Sequence, residues 1–306
     1  MSATAVPAIR TDNLSKSFGH TRALSSLDLV VEPGEVLGYL GPNGAGKTTT
    51  IRLLVGLIRA TSGRAEIFGI DCQEHPVAAH RHAAYVPGEV NLWPSLTGTE
   101  TLHLLGRVQG QVDLAYRDLL MDRFEFDPSK KVRHYSKGNR QKLILIAGLM
   151  TRADLLLLDE PTSGLDPLME RAFQECVAES RERGQTILLS SHILSEVEAL
   201  CDRVAILRAG ELVEVGTLAE MRHLSALQVE AELSGPVPDV SHLAGVTGVQ
   251  VDGRRLRCHV TGSIEPLVAA LAAAGVSRLV SREPSLEELF LAHYGTGAAT
   301  DGHDAS

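Results

Sequence analysis

The sequence predicts an α/β domain followed by a small α+β domain with the ferredoxin-like order of elements. Three observations carry this. Up to about Leu224, short β-type runs alternate with longer helical stretches. The runs Thr186–Ser190 and Arg203–Leu207 are nearly continuous apolar segments, as in a mainly parallel sheet covered on both faces. After Arg222 the texture changes to loop and hairpin signals, Ser234-Gly-Pro-Val-Pro238 and Asp252-Gly253.

In chain order, strands are predicted at Leu27–Val31, Val36–Leu40, Asp154–Leu158, Thr186–Ser190 and Arg203–Leu207. Gly210-Glu211 reads as the turn of a hairpin joining Val204–Arg208 to Leu212–Val215. Helices are predicted over Ile51–Leu57 and Lys137–Met150, the second capped by Ser136. The second domain reads as strand Leu227–Leu233, short helix Asp239–Leu243, a hairpin, helix Ile264–Ala274 and strand Val276–Val280. That order is β-α-β-β-α-β. Ser285-Leu-Glu-Glu288 opens a last helix to Tyr294 through a capping box. The expected domains are residues 1–224 and 225–295, with a disordered tail over 296–306.

With 306 residues, 44% of them hydrophobic and 22% charged, the chain can bury a full core. A net charge of −9 and no long Lys/Arg tract argue against nucleic acid as a partner. The longest apolar runs, Leu143–Met150 and Leu267–Val276, fall short of the roughly 20 residues that cross a bilayer. Met1–Pro7 lacks the basic and apolar regions of a signal peptide. Cys72, Cys176, Cys201 and Cys258 lie far apart, a pattern suited to a reducing cytosol. A soluble, intracellular protein is expected.

The chemistry begins at Gly41, Pro42, Asn43, Gly44, Ala45, Gly46, Lys47 and Thr48, with Thr49 entering the helix behind. This is G-x4-G-K-[ST] after an apolar strand, the context in which the pattern marks a phosphate loop. Its glycines let backbone N–H groups cradle a β-phosphate, helped by the helix N-terminus. Lys47 would reach the β/γ-phosphates and the Thr48 hydroxyl would ligate Mg²⁺. Leu155–Leu158 then delivers Asp159 and Glu160, two carboxylates whose side chains point oppositely. Asp159 would hold Mg²⁺, and Glu160 would polarise the attacking water as general base.

Further segments follow in order: Tyr135-Ser136-Lys137-Gly138-Asn139-Arg140-Gln141, Ser163-Gly164-Leu165-Asp166 and Ser190-Ser191-His192. With these, about Ile9–Leu224 resembles the ATP-binding subunits of ABC transporters. The resemblance implies a P-loop NTPase core with a helical subdomain at about residues 90–150, and ATP and Mg²⁺ as ligands. Ser136, Gly138 and Asn139 correspond to the ABC signature. In the family the signature contacts the γ-phosphate held by a partner subunit, so a head-to-tail homodimer, or a pairing with a paralogous ATPase, is implied. Asp166 closes the D-loop that links the two sites, and His192 matches the switch histidine. Phe18 matches the aromatic that stacks on adenine; the lesser alternative is a core aromatic.

Two departures stand out. The signature reads YSKGN, with Lys137 and Asn139 where the family commonly has Gly and Gln. Tyr85-Val-Pro-Gly88-Glu89 places Gly88 where the Q-loop usually carries Gln, so that contact must pass to Glu89, to water or to loop movement. Trp93, in Asn91-Leu-Trp-Pro94, either contacts a partner's coupling helix or packs within the helical subdomain. His75, His80 and His82 read as solvated helix surface, Lys130–His134 as a loop, and Arg254–Arg257 as a protected sheet edge.

Pro284–Tyr294 resembles the ending of ABC-2-type exporter ATPases, the group that includes drug and antibiotic-resistance pumps. The implied function is an ATPase driving export through a separate transmembrane permease, from the inner face of the cell membrane. Competing readings are an importer ATPase, and a non-transport ABC ATPase acting in regulation or on nucleic acid or the ribosome. The last group carries coiled-coil insertions or paired ATPase units, and neither is present in this sequence.

Overall fold

An antiparallel layer opens the chain in the computed structural model, which describes residues 6–110, 112–223, 227–282 and 288. β1 (Ile9–Phe18) pairs with β2 (Thr21–Val31) on one side and with β4 (Ser62–Ile67) on the other; β5 (Ile70–Asp71) adds to β4. β3 (Val36–Leu40) leaves this layer and starts a second sheet, and α1 (Lys47–Leu54) follows it. α2 (Pro76–His80) leads to β6 (Ala83–Val86).

Three helices come next: α3 (Gly98–Gln109), α4 (Leu114–Arg123) and α5 (Lys137–Leu149), the last preceded by a 3-10 turn at Val132–His134. β7 (Leu155–Asp159), α6 (Pro167–Glu182), β8 (Thr186–Ser191), α7 (Leu194–Leu200), β9 (Arg203–Arg208) and β10 (Glu211–Thr217) complete the sheet. Its order is β10-β9-β3-β8-β7-β6, with β9, β3, β8, β7 and β6 parallel. Every residue of β3, β7 and β8 is buried, which is why these strands read as continuous apolar runs.

Alternation along the strands sorts the two faces. Leu37, Tyr39, Leu155, Leu157 and Leu188 join one core with Ile51, Leu53 and Leu54 of α1 and with Ile9, Leu27 and Ile67 of the antiparallel layer. α1 is thus held between two sheets. The opposite face meets α7 at Gly38, where a Cβ would stand 2.5 Å from Val197 Cγ1. This layering fixes the strand ends that carry Gly41, Asp159 and His192.

The β9–β10 hairpin turns on Ala209 and Gly210, φ 49° and 84°, one residue before the expected Gly210-Glu211. Both positive angles suit the twist of the flanking strands. α3 begins with a capping box: Thr97 Oγ1 accepts from Glu100 N–H (3.2 Å) while Glu100 Oε2 accepts from Thr97 N–H (2.7 Å). Thr97→Ala should lower the unfolding free energy by about 1 kcal/mol, seen as an earlier midpoint in urea at unchanged slope.

The chain divides into Met1–Val215 and Gly216–Ser306, before the expected Leu224, which lies outside the described residues. The second unit holds α8 (Leu218–His223), β11 (Leu227–Leu233), β12 (Val246–Asp252), β13 (Arg255–Val260), α9 (Glu265–Ala273) and β14 (Val276–Arg282). Its sheet runs β12-β13-β11-β14, antiparallel throughout, the ferredoxin-like order.

One expectation fails here. Asp239–Leu243 is not a helix, because Asp239 Oδ1 accepts from Ser241 N–H (3.0 Å) and Oγ (2.6 Å) and holds a tight turn instead. α9 covers the core through Leu267 and Leu271 against Val229, Ala231, Leu256 and Val260, and Val240 of the turn segment joins it. The helix expected over Ser285–Tyr294 and the tail over 296–306 lie outside the described residues, Glu288 excepted. No described helix is long and apolar enough to cross a membrane.

Candidate functional site: a phosphate loop facing two carboxylates

After Leu40 the chain turns through Gly41–Gly46 into α1, whose first residue is Lys47. Gly46 sits at φ 112°, and a Cβ there would stand 2.6 Å from Leu24 Cδ2 and 2.8 Å from the Ala23 carbonyl oxygen. Only glycine completes this turn. No side chain caps α1, so its first N–H groups remain as donors for an anion.

Lys47 is 5% exposed. Its Nζ donates to the carbonyls of Gly41 (2.5 Å) and Pro42 (3.2 Å) and stands 3.8 Å from Glu160 Oε1. Burial pushes its pKa below the ordinary lysine value, against the opposing pull of Glu160 and Asp159. A desolvated ammonium facing carbonyl oxygens can exchange them for phosphate oxygens with little further loss of hydration.

Asp159 ends β7 and is 3% exposed. Its Oδ1 accepts from Thr48 Oγ1 (3.2 Å) and from Ser190 Oγ (2.8 Å). A carboxylate and a hydroxyl converging at the edge of a cleft are hard oxygen donors, the set that suits Mg²⁺. Glu160 follows in the left-handed region, φ 46°, with its N–H donating to Ser190 O (3.0 Å). That turn directs its carboxylate back over the loop, with Lys47 on one side and His192 Nδ1 at 3.4 Å on the other. A left-handed non-glycine residue costs on the order of 1 kcal/mol, offset here by these contacts.

Thr48, Asp159 and Glu160 line an open cleft of about 520 Å³, together with Gly88, Glu89 and Lys137. Five of the residues singled out from the sequence therefore meet: Lys47, Thr48, Asp159, Glu160 and His192. Phe18 does not line the cleft; it is 51% exposed at the end of β1, with Lys16 Nζ 4.9 Å from its ring centroid, and is no core aromatic. Ser136 caps α5 through Asn139 N–H (3.2 Å), and it is exposed. Asp166 spends Oδ1 on capping α6 through Leu168 and Met169 N–H.

The comparisons with known proteins agree on one family. The ABC transporter sequence profile matches residues 24–163. A daunorubicin resistance ATP-binding protein of Streptomyces coeruleorubidus is 36% identical over 93% of this chain and 95% of its own. The chain belongs to the ABC transporter ATP-binding proteins. A Nod factor export ATP-binding protein of Rhizobium etli is 32% identical over 93% of this chain and 92% of its own. Among solved structures, an ATP-binding subunit of an ABC transporter is 33% identical, with a TM-score of 0.66 over 70% of this chain and 92% of that one. The chain is thus an ABC ATPase.

Within this ABC protein several contacts escape motif reading. Gln141 Nε2, buried on α5, donates to Pro161 O (2.8 Å) and ties the signature helix to the segment after Glu160. Lys137 Nζ donates to Ser163 Oγ (3.1 Å), so the residue that departs from the family signature grips the D-loop of its own chain. Ser190, read only as the end of a strand, supplies the second hydroxyl on Asp159. Each is a long-range contact with no local sequence signal.

Gly88 has a geometric reason to lack a side chain. A Cβ there would stand 2.9 Å from the Asp159 carbonyl oxygen and 3.6 Å from Glu160 Cβ. Gly88→Ala should therefore displace the Asp159–Glu160 turn and lower kcat by about tenfold or more, since small misplacements of reacting groups carry large rate costs. Steady-state ATPase assays check this; an unchanged kcat would mean the loop yields freely.

Proposed function

We propose that this chain is the ATP-hydrolysing subunit of an ABC-2-type exporter, carrying drugs, antibiotics or related lipophilic compounds through a separate transmembrane permease. The observation that carries the catalytic part is the meeting of Lys47, Thr48, Asp159 and Glu160 in one cleft, with His192 against Glu160. The relatives named for daunorubicin resistance and Nod factor export support the direction of transport.

In this reading Gly41–Thr49 and Lys47 hold the triphosphate, while Phe18 receives adenine on its exposed ring. Thr48 and Asp159 hold Mg²⁺, which neutralises charge between the phosphates. Glu160 accepts a proton from the attacking water, and Lys47 stabilises charge on the phosphate oxygens. His192, in contact with the Glu160 carboxylate, keeps that group in place and reaches toward the same phosphate.

The exposed helix start at Ser136, Gly138 and Asn139 suits a phosphate brought by a second copy, so the site is completed in a head-to-tail dimer with Asp166 at the interface. Binding of two ATP molecules supplies the differential affinity that closes the pair, and hydrolysis releases it. Trp93, 50% exposed ahead of α3, is offered to the permease on the inner face of the membrane.

Affinity purification of the tagged chain from detergent-solubilised membranes of its own cells tests the transport part. A multi-spanning membrane protein should co-purify and stimulate ATP hydrolysis. Recovery of an active ATPase from the soluble fraction alone, with no membrane protein, would overturn that part and leave the ATPase assignment standing.

A further inference from the structure

Glu196, on α7, is a buried carboxyl with no part in the reaction as derived above, and it is 5% exposed. Its Oε2 accepts from Ser191 Oγ at 2.6 Å. Ser191 Oγ in turn accepts from the N–H of Ile193 at 3.0 Å, so a single hydroxyl spans the backbone on both sides of His192. Oε1 is buried without a hydrogen-bond partner.

These anchors are placed tellingly in sequence. Ser191 directly precedes His192, and Ile193 directly follows it. His192 Nδ1 in turn stands 3.4 Å from Glu160 Oε1. We propose that Glu196 is a positioning residue for ATP hydrolysis, holding through Ser191 the turn that bears His192 so that the imidazole keeps its place against Glu160. The proposal rests on the catalytic reading of Glu160 and His192 given above.

Packing alone does not account for this side chain. A buried carboxyl with one unpartnered oxygen costs free energy that an apolar residue of similar volume would avoid. Burial raises its pKa above the ordinary glutamate value, favouring the neutral form, which both donates and accepts. A glutamine offers the same two functions in nearly the same shape.

The test uses the full chain with Glu196→Gln, Glu196→Leu and Ser191→Ala. Glu196→Gln should keep kcat within about twofold, whereas Glu196→Leu should lose about tenfold or more in kcat with KM and nucleotide affinity unchanged. Ser191→Ala should show the same split. Wild-type kcat in Glu196→Leu, or equal loss in Glu196→Gln and Glu196→Leu, would overturn the proposal. So would retained kcat in Ser191→Ala, which decides the matter should Glu196→Leu fail to fold. Absence of turnover in the unmutated chain would instead sink the ATPase reading itself.

Discussion

Replacing Lys47 with alanine is expected to remove nearly all measurable ATP binding. The ammonium is buried and bonded to two loop carbonyls, and the sequence from Gly41 to Gly46 contains no other cationic residue. Removing one partner of a buried charge pair costs about 3–5 kcal/mol, on the order of a hundredfold or more in affinity. The fold should survive, because the side chain points into the loop and the α1 core residues Ile51, Leu53 and Leu54 are untouched. Titration of a fluorescent ATP analogue, paired with a thermal unfolding curve, separates the two effects. Retained affinity at wild-type stability would contradict the assignment of the loop.

Glu160→Gln should act on the opposite side of the balance, keeping ATP affinity while slowing hydrolysis by about 10²–10⁴-fold, the usual contribution of a general base. The amide preserves the shape of the side chain but cannot accept the proton of the attacking water. The groups proposed to hold nucleotide and Mg²⁺, Lys47 and Thr48, do not depend on it. A small gain in affinity is expected as well, since Lys47 loses a competing carboxylate at 3.8 Å. Single-turnover hydrolysis measures the chemical step directly; a rate within threefold of wild type would remove Glu160 from its role.

Much of this site was legible because its parts are local. Gly41–Thr48 is one contiguous turn, and Asp159-Glu160 lies at the end of a uniformly buried strand, so spacing alone places the chemistry. The second unit was legible in its strand order, yet the helix expected over Asp239–Leu243 is a turn. Ser241 follows Asp239 by two residues, and that local hydrogen bond outcompetes a short, weak helix.

β4 was missed because its first three residues, Ser62, Gly63 and Arg64, are exposed and polar, leaving too little alternation to read. Gly88 read as a Q-loop position whose contact passes to Glu89, to water or to loop movement. The missing information was the approach of the Asp159 carbonyl, from a strand about seventy residues further along the chain. Lys137 on Ser163, Gln141 on Pro161 and Glu196 on Ser191 share that character, for they depend on which loops the parallel sheet brings side by side.

In the proposed assembly each ATP is held by two copies of the chain, with Ser136 of one facing the phosphate loop of the other. The most direct measurement is the mass and nucleotide content, by light scattering and quantitative nucleotide extraction, of the Glu160→Gln protein in saturating MgATP. A particle of two chains and two ATP is expected, which reverts to one chain when Ser136→Arg is added. A particle that remains one chain with one tightly held ATP, indifferent to Ser136→Arg, would contradict it.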